Sequence, residues 1–421
     1  FVSFFGLNME TLDIVISLVY VLVTGLCVAV GWFLLKPAAE AESKAAAETR
    51  AHPGKPEQTA QGAPGPQPSA PPGPLAAEAT VATAQQAWED AAKRAISRIP
   101  GLNEATRKRV WRFAGDAPQM ALVGCEDGYV RRYSLPTWRL AFTYDHCVEG
   151  MKAKITCVGG NRDLVLTGCD SRTVKTWEAD RPFRRLLVLG KGVHKGPVNG
   201  LAVSGKWTVT ASENGAHLWE HSEKNFYMEG TSKGTFAGHD ESVLCVAVSK
   251  ESVITGSRDK TARLWDLKTQ KSLHVLKGHK SMVRTVDIDV DTGVAVTGSD
   301  DRTVRVWKVA TGEEQRVLSG MRDWISVVKL CPLTGAVAAG AVDGDFKVWD
   351  SHGFLTVADD VRTAVNDIAY CGGDLILACA DGTVRSYRVS LALPSESGPR
   401  KLGKPFTTVR LPKSATSLSI V

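Results

Sequence analysis

Residues able to do chemistry are plentiful in this chain, yet they rarely fall at the spacings chemistry needs. Nine cysteines run from Cys27 to Cys379 without one CxxC pair, and nine histidines show no metal-ligand spacing, so neither a metal site nor a redox dithiol is expected. Several cysteines lie in apolar runs such as Val243-Leu244-Cys245-Val246, the setting of buried free thiols in a reducing compartment. Gly190-Lys191-Gly192 lacks the spacing of a phosphate-cradling loop and reads as a turn. No Ser/His/Asp grouping of the hydrolytic kind stands out. What does recur is one ordered string of polar and aromatic residues. Gly238-His239 leads through Val243 to Thr255-Gly256-Ser257-Arg258-Asp259 and Trp265-Asp266, and Gly278-His279 leads through Val283 to Thr297-Gly298-Ser299-Asp300-Asp301 and Trp307. From Trp265 to Trp307 is 42 residues. A unit that short cannot bury both faces of its own sheet, so copies must stack radially and share a core. Nothing in the repeat itself performs chemistry, and binding to other proteins is the expected task.

The elements that hold these residues can be counted from the aromatic that closes each third strand. Tyr133, Trp177, Trp219, Trp265, Trp307, Trp349 and Tyr387 follow one another at spacings of 44, 42, 46, 42, 42 and 38, which predicts an all-β, seven-bladed propeller. A turn precedes each such strand, among them Glu126-Asp127-Gly128, Asp170-Ser171-Arg172, Glu213-Asn214-Gly215 and Ala380-Asp381-Gly382. Asp-Gly and Asn-Gly suit the φ > 0 positions of tight hairpins. Apolar runs at 198–203, 243–248, 283–288, 325–330 and 365–368 read as innermost strands buried on both faces. The segment 415–421 repeats that pattern. It is expected to complete the blade begun by 120–144, closing the ring and removing an exposed edge; residues 109–113 are the alternative.

Composition excludes little at 421 residues: 43% hydrophobic, 23% charged and a net charge of +6 are ordinary, and nucleic-acid binding is not expected from so small an excess. No Asn-x-Ser/Thr sequon occurs, as suits a cytosolic propeller. Ahead of the repeats the chain changes character. After a short segment, 1–13, residues 14–35 carry no charge; as a helix they reach about 33 Å, enough for a bilayer core. Glu10 and Asp13 precede this stretch where a signal peptide would carry cations. Lys36, Lys44, Arg50 and Lys55 follow it, so the positive-inside rule puts the propeller in the cytosol; which membrane holds it is left open, with an endomembrane such as the ER favoured. Met9 reads as the natural start. Residues 36–84 are rich in Ala, Pro and Gly with almost no large apolar side chain, and read as a disordered tether. Residues 85–104 read as an amphipathic helix, packed under the propeller or laid on anionic lipid. The propeller is expected over 105–421.

The Gly-His and Trp-Asp landmarks resemble the WD-repeat β-propeller family, strongly over 238–266 and 278–307 and more weakly elsewhere. In that family a His, a Ser or Thr, an Asp and the Trp form a hydrogen-bonded structural network in each blade. The resemblance implies His239, Thr255 or Ser257, Asp259 and Trp265 in one blade, and His279, Thr297 or Ser299, Asp301 and Trp307 in the next. It also implies Asp343 and Trp349 in a third, where Met321-Arg322 departs from the Gly-His pattern. Family members bind partners on the face carrying the Asp turns, which here implies a partner site of Arg172, Lys195, Arg258, Lys280, Asp300, Arg302, Met321, Arg322, Asp323 and Trp324. That basic, partly apolar set suits an acidic or phosphorylated peptide. Phe183-Arg184-Arg185 is similar to the signature of phosphoinositide-binding propellers, but Leu186 replaces its glycine and the segment reads as an outer strand. No cofactor, metal or small-molecule substrate is implied. The expected function is a non-enzymatic, membrane-tethered scaffold or adaptor for cytosolic proteins. The alternatives are a nucleotide-exchange factor for a small GTPase and a substrate receptor of a ubiquitin ligase.

Overall fold

Seven antiparallel four-stranded sheets account for nearly every strand, joined by one two-stranded hairpin. They were found in a computed structural model that describes residues 120–421 except 136, 149–150, 162–163, 180, 190–191, 221–231, 333, 372–373 and 389–398. The expected membrane span at 14–35, the tether, the amphipathic helix, Met9 and the strand at 109–113 lie outside the described residues. Among the described residues no helix is long and apolar enough to cross a membrane.

Blade 2 runs from Ile155–Gly160 at the hub to Arg181–Leu189 at the rim, and blade 3 from Gly200–Ser204 to Gly234–Phe236. Blade 4 runs from Val243–Ser249 to Ser272–Leu276, and blade 5 from Val283–Asp289 to Glu314–Leu318. Blade 6 runs from Ile325–Leu330 to Leu355–Asp360, and blade 7 from Val365–Cys371 to Thr407–Arg410. Blade 1 is assembled from both ends of this unit: Met120–Cys125, Tyr129–Ser134 and Arg139–Asp145 receive Ala415–Ile420 as their innermost strand. There Val123 pairs with Leu418 and Ala121 with Ile420, and Met120 and Val421 exchange backbone hydrogen bonds of 2.8 and 2.9 Å. Each inner strand touches the next around the ring. The Phe183-Arg184-Arg185 segment lies on the rim strand of blade 2.

The core is divided among the seams. Seven hydrophobic clusters each join two neighbouring blades, and each closing aromatic faces the blade before it: Trp265 packs with Val209 and Leu218 of blade 3, Trp307 with Ile254 and Leu264 of blade 4. This is why one large aromatic recurs at blade spacing. Close approach across the seam also accounts for the Thr-Gly-Ser triplet, because a Cβ on Gly256 would lie 2.7 Å from Val283 of the next blade.

At the hub most inner strands carry one bulged residue near their start, and in blades 2, 6 and 7 its side chain stitches blade to blade. Thr156 Oγ1 donates to the carbonyl of Val198 at 2.5 Å, and Asn366 Nδ2 to that of Ala415 at 2.7 Å. Ser326 makes the same bond to Val365. In blade 3, Asn199 Nδ2 donates to Val243 O at 3.2 Å.

The cysteines with described side chains are free thiols. Burial pushes Cys157 and Cys245 up to about 12, which leaves them protonated and unreactive.

Candidate functional site

The Asp turns and Gly-His loops share one face of the ring, and the polar string found in the sequence lies just beneath it. In blade 4 the indole Nε1 of Trp265 donates to Thr255 Oγ1 at 2.8 Å, Thr255 Oγ1 lies 2.8 Å from His239 Nε2, and His239 Nδ1 lies 2.7 Å from Asp259 Oδ2. The donors fix the tautomer: if Nδ1 carries its proton toward the carboxylate, Nε2 accepts from the threonine hydroxyl, whose oxygen accepts from the indole. A neutral imidazole satisfies every position. Burial holds His239 below the ordinary imidazole value, with Asp259 offsetting this only in part. Burial would raise Asp259, but hydrogen bonds from Thr261 and His239 outweigh it and hold the carboxylate low.

Blade 5 repeats the arrangement, with Trp307 Nε1 to Thr297 Oγ1 at 2.9 Å, Thr297 to His279 Nε2 at 2.7 Å and His279 Nδ1 to Asp301 Oδ2 at 2.8 Å. The choice the sequence left open is resolved by geometry. Thr255 and Thr297 stand inside the chain of hydrogen bonds. Ser257 and Ser299 instead donate to carbonyls of the preceding loop, Ser242 at 3.0 Å and Ser281 at 3.1 Å, and accept from the amides of Asp259 and Asp301.

Two further blades hold versions that the Gly-His search misses. In blade 2, Trp177 Nε1 donates to Thr167 Oγ1 at 3.1 Å, and His146 Nδ1 lies 2.6 Å from the same oxygen. Ser171 stands where the Asp would be, and Thr173 meets the other ring nitrogen at 3.2 Å. In blade 3, Trp219 donates to Thr210 at 2.9 Å, Thr210 lies 3.3 Å from His194 Nε2, and Ser212 joins Nδ1 to Asn214. Burial, with His217 alongside, pushes His194 down to about 4.

Blades 6, 7 and 1 have no such histidine and hold their turns by cations. Arg131 makes a two-pronged pair with Asp127 at 2.6 and 3.3 Å. Arg385 meets Asp381 at 2.5 Å. In blade 6, Arg322 lies 3.2 Å from Asp343 and Lys347 lies 2.6 Å from Asp345. Here the expectation for Asp343 and Trp349 is corrected. Met321 occupies the histidine place and is buried against the Trp349 cluster, while Ala339 pairs with Lys347 where a threonine would stand. Asp343 therefore bonds the Asp345 amide and Arg322 instead of an imidazole.

Comparison with known proteins agrees with this geometry where it is most regular. The family described as "WD domain, G-beta repeat" matches residues 230–266 and 270–308, the stretches that build blades 4 and 5. Blades 4 and 5 carry WD repeats within a seven-bladed β-propeller. The chain is similar to the THO complex subunit 6 of Arabidopsis thaliana, 29% identical over 34% of this chain and 46% of that protein. It is also similar to a guanine nucleotide-binding protein subunit beta-like protein of Encephalitozoon cuniculi, 30% identical over 31% of this chain and 39% of that one. The match thus spans less than half of either relative. A computationally designed protein, Ika8, shares the fold alone, with a TM-score of 0.55, 21% identity and coverage of 72% of this chain and 88% of its own.

On this propeller the expected partner residues divide into two groups. Arg172, Lys195, Arg258, Lys280, Arg302, Arg322 and Trp324 are exposed. Asp323 is half-buried, with its carboxylate on the Trp324 amide. Met321 and Asp300 are not on offer: Met321 is buried in the seam, and the Asp300 carboxylate is buried under Arg284. Arg284 and Val342 belong to the face and were missed, since neither sits in a Gly-His loop. Arg172, Lys260 and Arg302 hold left-handed backbone, φ 64, 67 and 65°, where glycine serves in blades 1, 3, 6 and 7. A long cation kept where glycine is easier is the kind of local strain found at binding surfaces. Between blades 3 and 4 a cleft of about 580 Å³ is lined by Glu213, Asp240, Glu241 and Arg258, the acidic exception on a face otherwise rich in cations.

Proposed function

We propose that this propeller is a protein-interaction scaffold, held at a membrane by residues 14–35 through the tether at 36–84, with its Asp-turn face presented to cytosolic protein partners. One observation carries the reading. In blades 4 and 5 the hydroxyl, imidazole and carboxylate that could pass protons are consumed in bonding one another and the turn, while the same face exposes a tryptophan and a set of cations. Aromatic and arginine side chains are the groups that dominate protein–protein binding energy. Of the two relatives named above, one is by name a complex subunit and the other a subunit beta-like protein, which accords with a role in assemblies.

The test separates tether from platform. Full-length chain and a chain lacking residues 1–84 are expressed in cells, fractionated, and used for proximity labelling and reciprocal capture of the labelled proteins. The full chain should resist extraction from membranes by alkaline carbonate and the shortened one should be soluble, with both retaining the same direct partners. Carbonate extraction of the full chain would remove the tether from the reading. Loss of every partner from both forms would remove the platform.

A further inference from the structure

The hub stitching is missing where the bulged residue is Leu244 in blade 4, Thr416 in blade 1, whose Oγ1 has no hydrogen-bond partner among the described residues, and an arginine in blade 5. In blade 5 the bulged residue is Arg284, too long to repeat the short bond that Thr156, Asn199, Ser326 and Asn366 make to the next blade. Its guanidinium turns to its own blade. Nε and Nη2 each donate to Asp300 at 2.7 Å, one to each carboxylate oxygen, and the Asp300 side chain is only 5% exposed. A buried carboxylate thus fixes one edge of a 37% exposed arginine, and Nη1 has no partner among the described residues.

Trp324 lies against this arginine, its ring centroid 5.9 Å from the guanidinium carbon. It stands just before the inner strand of blade 6, at the place held by Ser242 in blade 4 and Ala364 in blade 7, and is 49% exposed. Val342, whose amide bonds the Trp324 carbonyl at 3.1 Å, is exposed beside it. The loops around the pair carry Lys280, Arg302 and Arg362, all exposed. The nearby carboxylates are occupied, Asp343 and Asp360 by Arg322 and Asp323 by the Trp324 amide.

We infer that Arg284 and Trp324 anchor a docking site for an acidic linear segment of a partner protein, with a carboxylate on the open Nη1 edge and a neighbouring aromatic or aliphatic side chain against Trp324 and Val342. This rests on the platform reading above. Charge complementarity selects the occupant. The Arg284–Asp300 pair carries no net charge, so the attraction for an anion comes from exposed Lys280, Arg302 and Arg362 around it; a single carboxylate suits that field, whereas a phosphate dianion on the open edge would meet Asp300 close by. Fixing the guanidinium before binding removes most of the ordering cost a free arginine would incur.

The test uses full-length protein in detergent micelles. A random dodecapeptide display library is selected on it, and the winning peptide is measured by fluorescence polarisation beside two counterparts, one with Asp/Glu changed to Asn/Gln and one with phosphoserine in their place. Selected peptides should carry Asp or Glu next to an apolar residue. Trp324→Ala, Arg284→Met and the amide peptide should each weaken binding about tenfold or more, while Lys268→Ala and Lys271→Ala, exposed in the turn before the rim strand of blade 4, change it less than about twofold. Asp300→Asn should cost several-fold by unclamping Arg284. If Arg284→Met fails to fold, Trp324→Ala at its half-exposed position decides alone. Peptides that are neutral or basic, tighter binding of the phosphoserine form, or indifference to Trp324→Ala would each overturn this site while leaving the platform standing. If the library yields no binder, the site is likewise overturned, and only the absence of any captured partner in cells would take the platform with it.

Discussion

Blades 2 to 5 and blades 6, 7 and 1 fold the same turn with different chemistry, and each set is contiguous around the ring. In the first arc a buried imidazole links the turn to a threonine and a tryptophan. In the second, an arginine reaches the turn carboxylate directly. The comparison shows that the blade needs its turn held, not a particular residue to hold it. The difference also makes blades 3 and 4 sensitive to acid, because burial holds His194 and His239 neutral, whereas a guanidinium stays charged throughout.

The strongest way to break the contrast is Thr255→Val. It leaves the buried Trp265 indole and His239 Nε2 without partners, and at about 1–3 kcal/mol for each orphaned group the loss should approach 4 kcal/mol in denaturant unfolding. A loss under about 1 kcal/mol would mean the chain of hydrogen bonds is not what holds the arc. Acid is the next largest lever. His194 stands at about 4 in the folded protein against 6.5 unfolded, so above 6.5 both states are neutral and stability is intact. As pH falls from 6.5 towards 4 the unfolded chain takes up a proton the folded one refuses, costing about 3 kcal/mol at the lower limit. His217 and His239, also held low, add in the same direction. The depressed carboxylates lose their contribution only below about pH 4, so hydrogen exchange at pH 5 should show blades 3 and 4 opening before blades 6, 7 and 1.

A smaller effect is expected from Arg385→Met. Its pair with Asp381 is partly exposed, so unfolding should shift by only about 1 kcal/mol, and less in high salt. The smallest is Arg302→Gly. Relief of left-handed backbone should leave stability unchanged or raise it by up to about 1 kcal/mol in a thermal melt; a clear destabilisation would mean the side chain itself supports the turn.

Much of this was legible beforehand. The seven aromatics gave the blade count because every seam needs one, and the closing strand was visible as a final apolar alternation. The histidines of blades 2 and 3 carry no Gly-His signal, since His146 follows Asp145 and His194 follows Val193. A better signal lay in the threonines, for Thr167, Thr255 and Thr297 each precede their tryptophan by ten residues and Thr210 by nine. So did the cations: Arg131, Lys175, Arg263, Arg305, Lys347 and Arg385 each stand two places before the closing aromatic. Their task was hidden, since a cation at that position grips the turn in one blade and lies over an indole in another. The Arg284 clamp was illegible because it depends on a bulge, which no side-chain pattern announces.

The pairing of Ala415–Ile420 with Met120–Cys125 has a consequence for how the protein is made. The oldest sheet to leave the ribosome must wait, one strand short, until the newest segment emerges. A chaperone or an early partner would find that unfinished sheet before any later one.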